Sequence, residues 1–199
     1  MNRSPFPKAA VVGIDLAGVP GRPTGVCVLR GLEASTGLLF TDREIMAYVR
    51  QAEPDLVAID APLNLPPGRT SIEDRNGEHY RRCDLELRAH GIPFFPITLG
   101  PMRTLTVRGM MLRKWFEKNK YRVVEIYPGG AQDIWKIPRA KRNLDGLRRG
   151  LISRGVKGLK KDISDHELDA VTGALVGRLY LLGRARIFGD FRTGAILMP

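Results

Sequence analysis

Cysteine and histidine are scarce in this chain of 199 residues, which carries two of the first and three of the second. Cys27 lies in a strand-like apolar run and Cys83 in a charged segment. Neither has a partner at metal-binding spacing, which argues against structural zinc. Long apolar runs are also missing: none approaches the ~20 residues that span a bilayer, so no membrane association is expected. Pro5 and Pro7 interrupt Met1 to Ala10, no export signal is legible there, and a cytoplasmic protein is expected. There is no internal repeat and no low-complexity tract. Acids are outnumbered, 21 against 32 Lys and Arg, giving a net charge of +11 and a pI near 10.1. That balance points to an anionic partner, nucleic acid first; the competing source of such charge is the ion-pair networks of proteins from hot environments. With 43% hydrophobic and 27% charged residues, the composition is that of an ordinary globular protein, and the length suits one domain over residues 1–199.

The first strong element is Ala9 to Asp15, a continuous apolar run too short for a helix, which reads as a buried strand. Gly25 to Leu29 and Leu38 to Phe40 read as a hairpin joined through Gly31 and Gly37. Thr41 and Glu44 form a capping box opening a helix that runs to Pro54, and Leu56 to Asp60 is a fourth, buried strand. Residues 61–101, rich in Pro and Gly, read as an insertion over the sheet edge with one short helix at Cys83 to His90. Helical periodicity returns from Arg103 to Lys118. A further buried strand, Arg122 to Tyr127, is stopped by Pro128 and two glycines. A second capping box, Ser164 with Glu167, opens a last helix reaching Leu182, with one apolar face for the sheet. The order predicts a mixed α/β sheet of five strands flanked by helices, antiparallel at first and parallel afterwards, with an insertion after the fourth strand.

Such a sheet gathers chemistry. Asp15 and Asp60 end their strands on the edge where α/β folds bind ligands, and Asp169 sits in the last helix. Asp165, four residues earlier, shares its helical face. Carboxylates crowded together stay ionised only where cations compensate, which is the logic of a Mg²⁺ or Mn²⁺ site. Two such ions activate a water and stabilise the leaving oxygen of a phosphodiester. Each acid also has a structural alternative as turn former, helix cap or dipole partner. Glu125, inside its strand, either faces the same cleft or satisfies a buried arginine. His166 is either a metal neighbour or general base, or a solvated side chain. Residues 135–161 are strongly basic, with Lys136, Arg139, Lys141, Arg142, Arg148, Arg149, Arg154, Lys157, Lys160 and Lys161 facing the single acid Asp145, a density not expected to be neutralised locally. Arg81, Arg82 and Arg88 are further phosphate-clamp candidates, or surface partners of Asp84 and Glu86.

Five phrases in order, Val12-Gly13-Ile14-Asp15-Leu16-Ala17-Gly18, Ala58-Ile59-Asp60-Ala61-Pro62-Leu63, Arg82-Cys83-Asp84, Val124-Glu125-Ile126-Tyr127-Pro128 and Asp165-His166-Glu167-Leu168-Asp169-Ala170, resemble the domain-of-unknown-function 429 family (DUF429), described as predicted nucleases of RNase H-like fold. The placement of acids is more distantly similar to RuvC-type junction resolvases, with Asp15, Asp60 and Asp169 at matching positions; the second helical acid departs, its RuvC spacing falling nearer His166 than Asp165. The resemblance implies an RNase H-like domain that hydrolyses DNA or RNA with Mg²⁺ or Mn²⁺ on Asp15, Asp60 and Asp169, with Asp165 or Glu125 completing the set. A resolvase-like activity would need a two-fold homodimer. Two other functions compete: a non-catalytic nucleic-acid-binding module, and a small actin-like or kinase-type phosphate-handling enzyme, for which the chain lacks the length of duplicated lobes.

Overall fold

The computed structural model describes residues 9–199; the reading of Met1 to Ala10 falls largely outside them. Its centre is a mixed sheet whose first two connections are hairpins. Strand β1 (Ala10–Asp15) pairs antiparallel with β2 (Thr24–Arg30), and β2 with β3 (Glu33–Leu39). Gly31, at φ 61°, makes the left-handed turn between β2 and β3; Gly37 lies within β3, which is longer than the sequence suggests. Helix α1 (Asp42–Ala52) starts on the expected Thr41 and Glu44 capping box and leads into β4 (Leu56–Asp60), parallel to β1. Beyond β4, α2 (Arg82–Ala89) and α3 (Gly100–Lys118) precede β5 (Val123–Ile126), which pairs parallel with β4.

From here the structure exceeds the five strands expected. Pro128 does not simply end β5. It occupies the first turn of α4 (Pro128–Ile134), where its missing N–H costs nothing. The basic region holds α5 (Leu144–Ile152), capped by Asn143, and the last long helix is α6 (Asp165–Leu181), opened by the Ser164 and Glu167 box. A hairpin of β6 (Arg186–Asp190) and β7 (Gly194–Met198) then adds two strands, β7 lying parallel to β5. Its turn is made by Asp190, whose carboxylate accepts the N–H groups of Arg192 and Thr193. The sheet has seven strands in the order β3-β2-β1-β4-β5-β7-β6. No described helix is long and apolar enough to cross a membrane.

Side-chain alternation splits the core into two layers. Val11, Leu56, Ala58, Val124 and Ile126 face a cluster that includes Leu168, Val171 and Val176 of α6 and Leu147 and Leu151 of α5. Val12, Ile14, Val57 and Ile59 face Ile45 and Val49 of α1 and Leu112 and Phe116 of α3. Residues Ala170 to Gly177 of α6 are buried without a break, so this helix is covered around most of its circumference by the sheet, α4 and α5, and not on one face alone. Its close approach needs glycine in the sheet: a Cβ on Gly13 would strike the Ala170 carbonyl oxygen, and one on Gly25 the His166 carbonyl oxygen, both well inside 3.0 Å.

Candidate active site

Strand parity builds the site. Val11, Gly13 and Asp15 point to the α6 side of β1, and Leu56, Ala58 and Asp60 to the α6 side of β4. The two strands are parallel with Asp15 directly opposite Asp60, so two carboxylates leave the sheet side by side at its carboxyl end. Gly25 lets the first turn of α6 settle onto β2, which brings His166 to Asp15: Nδ1 lies 2.6 Å from Oδ2. One turn further on, Asp169 Oδ1 accepts a 2.6 Å hydrogen bond from Gln132 Nε2, and the same amide also reaches Thr172 Oγ1. Gln132 comes from α4, the helix that follows β5 after the single residue Tyr127. In this way four neighbouring segments contribute to one group.

The electrostatics follow from crowding. Burial drives the Asp60 carboxyl well above the ordinary carboxylate range, and the charges of Asp15, Asp169 and Glu125 push it further. Asp169 is raised to about 7 by burial and by Asp15, with Gln132 pulling the other way. The hydrogen bond to Asp15 raises the His166 pKa and favours the imidazolium. The group therefore has an appetite for positive charge.

Not every candidate joins it. Asp165 opens α6 and accepts the N–H of His166; it acts on Asp169 and His166 through its charge. Glu125 stands opposite Ile59 in the register and, by parity with Val123, on the other side of the sheet from Asp15 and Asp60. Both of its oxygens are engaged: Arg81 Nη1 and Nη2 donate at 2.7 and 2.8 Å, and the Leu63 N–H donates to Oε2. Arg81 also grips Asp84 through Nε and Nη2, and at 2% exposure it is no phosphate clamp on the surface. Of the two settings expected for Glu125, the buried arginine is the one observed, and Arg81 is that partner.

The basic region keeps most of its charge. Arg139 pairs with Asp133 and Lys157 with Glu33, both acids lying outside it, while Arg148 and Arg149 share the one carboxylate of Asp145, so local neutralisation is partial. Lys136, Lys141 and Arg142 are exposed and pair with no acid among the described residues. Arg82 is exposed beside Glu86, and Arg88 lies over the Tyr80 ring.

The donor set suits a hard divalent cation in its chemistry. It is all carboxylate, and Asp15 Oδ1 and both Asp60 oxygens accept no hydrogen bond from any described residue. Among the described residues no three His, Cys, Asp or Glu side chains stand close enough to hold an ion as they are placed, so the fit is one of charge and ligand type, not of a preformed cage.

The family model described as "Protein of unknown function (DUF429)" matches residues 13–193. The chain belongs to the DUF429 family. That match takes in Asp15, Asp60, Gln132, His166 and Asp169 together. No curated protein matches this DUF429 chain. Two solved structures are similar: the Thermus thermophilus RuvC structure, at 13% identity and TM-score 0.47, and T. thermophilus RuvC in complex with Holliday junction substrate, at 16% and 0.46. Each covers 88% of this DUF429 chain and 97% of its own.

Proposed function

We propose that this DUF429 chain is a divalent-cation-dependent nuclease of RNase H-like type that hydrolyses phosphodiester bonds in DNA or RNA. The observation that carries the reading is the register of β1 and β4, which sets Asp15 beside Asp60 at the carboxyl end of a parallel pair, with Asp15 Oδ1 and both Asp60 oxygens uncommitted to any described residue. Asp15, Asp60 and Asp169 would hold Mg²⁺ or Mn²⁺. When bound, the cation supplies charge neutralisation at the phosphate and acidifies a water.

The chain's own residues have separate tasks. Gln132 holds Asp169 and fixes which of its oxygens is free. Asp15 holds His166 by Nδ1 and favours its protonated form, which places an acid at the edge of the carboxylate group, ready to give a proton to a leaving oxygen. Lys136, Lys141 and Arg142 hold the phosphate backbone, with Arg139, Arg148, Arg149, Arg82 and Arg88 contributing less because acids or a tyrosine ring already occupy them.

The test is a cleavage panel of single-stranded, duplex and branched DNA and RNA with Mg²⁺ or Mn²⁺, run beside Asp15→Asn and Asp60→Asn. Cutting that needs the metal and is lost in both variants supports the reading. An intact panel that the protein still binds at low salt would replace it with a non-catalytic binding module.

A further inference from the structure

A groove that the carboxylate group does not use runs along the start of α3. Two cavities, of about 730 and 460 Å³, share Arg103 and Glu73 in their walls and so adjoin there. At one end lies Gly18, three residues beyond Asp15; at the other lie Arg69, Arg75 and His79 of the stretch between β4 and α3. Either half alone has a volume usual for a small ligand. End to end they form a trough suited to something longer.

The charge of this groove is only partly answered. Arg69 donates to the carbonyl oxygens of Asp74 and Glu78, which fix its guanidinium without neutralising it. Asp74 lines the same wall, but its Oδ2 accepts from the N–H groups of Thr70 and Ser71 and from the Thr70 hydroxyl. Arg75 is exposed and forms no ion pair among the described residues, whereas Arg103 is matched by Glu73. The Gly18 end carries a sharper sign. Arg108, which lines it, is 5% exposed; Nε donates to Asp42 Oδ1 at 2.7 Å and Nη1 to the Ala17 carbonyl oxygen at 2.6 Å. Its Nη2 is the one buried side-chain nitrogen or oxygen among the described residues that has no hydrogen-bond partner, and such a group calls for an acceptor. On the same cavity α3 begins at Gly100 with no side-chain cap and no acid in its first turn, so the positive end of a 19-residue helix is unanswered as well. One oxyanion, in direct contact or through a shared water, satisfies both.

We propose that this groove holds the sugar-phosphate backbone of a nucleic-acid strand, with one phosphate seated at the start of α3 by Arg108 and the following ones passing Arg69 and Arg75. Three residues of chain span at most about 11 Å, so the seated phosphate lies a few nucleotides from Asp15. Lys136, Lys141 and Arg142 stand between α4 and α5, on the α6 side of the sheet, and α3 packs on the other side. A strand held by both must cross the carboxyl edge where Asp15 and Asp60 end. The inference deepens the nuclease reading by giving its substrate a path, and the binding it predicts does not need cleavage.

Binding of a fluorescently labelled single-stranded oligonucleotide is measured in EDTA over a range of salt for the full chain, Arg75→Ala, Thr104→Glu and Arg184→Ala. All three positions are exposed, and a glutamate early in a helix suits its dipole, so folding is not at stake. Arg75→Ala is expected to lower the slope of log K against log salt by about 0.7, the value of one phosphate contact on a single strand. Thr104→Glu sets a negative charge against the seated phosphate and should weaken binding about five- to tenfold. Arg184→Ala, past the far end of α6, should change neither. An unchanged slope in Arg75→Ala, an unchanged affinity in Thr104→Glu, or an equal response in Arg184→Ala overturns the proposal. Adenosine monophosphate and inorganic phosphate form the second arm: if either binds as tightly as the oligonucleotide and is lost in Thr104→Glu, the groove belongs to a small phosphate ligand and the strand path is overturned. Metal-dependent cleavage is scored separately. Groove-dependent binding without cutting would sink the nuclease reading and leave the groove assigned, and cutting with binding indifferent to the groove variants would do the reverse.

Discussion

Replacing Asp169 by asparagine should make the metal-free protein more stable while removing its activity. The Asp169 carboxyl has a pKa that rises from 3.8 in an unfolded chain to about 7 in the fold. Between those values the folded state holds a proton that the unfolded state has released, so stability falls as pH climbs through the window and levels off above about pH 7. At ~1.36 kcal/mol per pH unit the plateau cost is about 4 kcal/mol, and water entering the partly open site would reduce it toward about 2 kcal/mol. The substituted asparagine would carry no charge, and its Oδ1 could still accept from Gln132. The gain of Asp169→Asn is therefore expected to grow from about 1 kcal/mol near pH 4.5 to about 2–4 kcal/mol at pH 8, which is roughly 5–15 °C in melting temperature for a chain of this size. Urea and thermal unfolding across that range, without divalent metal, measure it. Mg²⁺ should then stabilise the wild type more than the variant, by about 2.7 kcal/mol at a hundred times the dissociation constant. A variant less stable than wild type at pH 8, or a gain that does not vary with pH, would refute the linkage.

Other expectations concern neighbouring features. Gly25→Ala puts a methyl into the His166 carbonyl oxygen and should cost about 1–3 kcal/mol in urea unfolding; the same variant should lower the His166 pKa seen by NMR, as the Asp15 contact lengthens. Arg81→Met strands Glu125 and Asp84 as buried charges and is predicted to lose about 3–5 kcal/mol, while replacing all three by apolar residues of similar volume should recover most of that loss. Lys141→Ala and Arg142→Ala should each reduce the salt dependence of nucleic-acid binding, the slope of log K against log salt, by about one. Arg149→Ala, where Asp145 already neutralises the charge, should change it less.

The parts of the fold written in local patterns were legible. Buried strands announced themselves as apolar runs ending in Asp15 and Asp60, and both capping boxes formed where Thr41 with Glu44 and Ser164 with Glu167 placed them. The carboxyl-end position of two acids needed nothing more than strand direction. What escaped was decided by contacts distant in sequence. The hairpin at the C-terminus is short and ends with residues that only β5 makes into a strand, although Asp190 to Gly194 carries a turn signature. Gln132 has no pattern of its own; Pro128 at a helix start was the available clue that a side chain one turn later would return to the strand ends. His166 stood in view, but its partner lies 151 residues away. Glu125 illustrates how alternation needs a partner strand: the period-two pattern from Val123 turns it away from Asp60 only once the register of β4 and β5 sets it opposite Ile59.

Arg81 has a consequence for how the molecule opens. Because its guanidinium is anchored to a central strand through Glu125 and to its own helix through Asp84, the stretch between β4 and α3 is riveted to the middle of the sheet. Its release would expose a carboxylate pair and a guanidinium in one event, so the amides of α2 should exchange with solvent together with those of β5 and not with the surface loops. That stretch would accordingly be a standing part of the scaffold, ready before any substrate arrives.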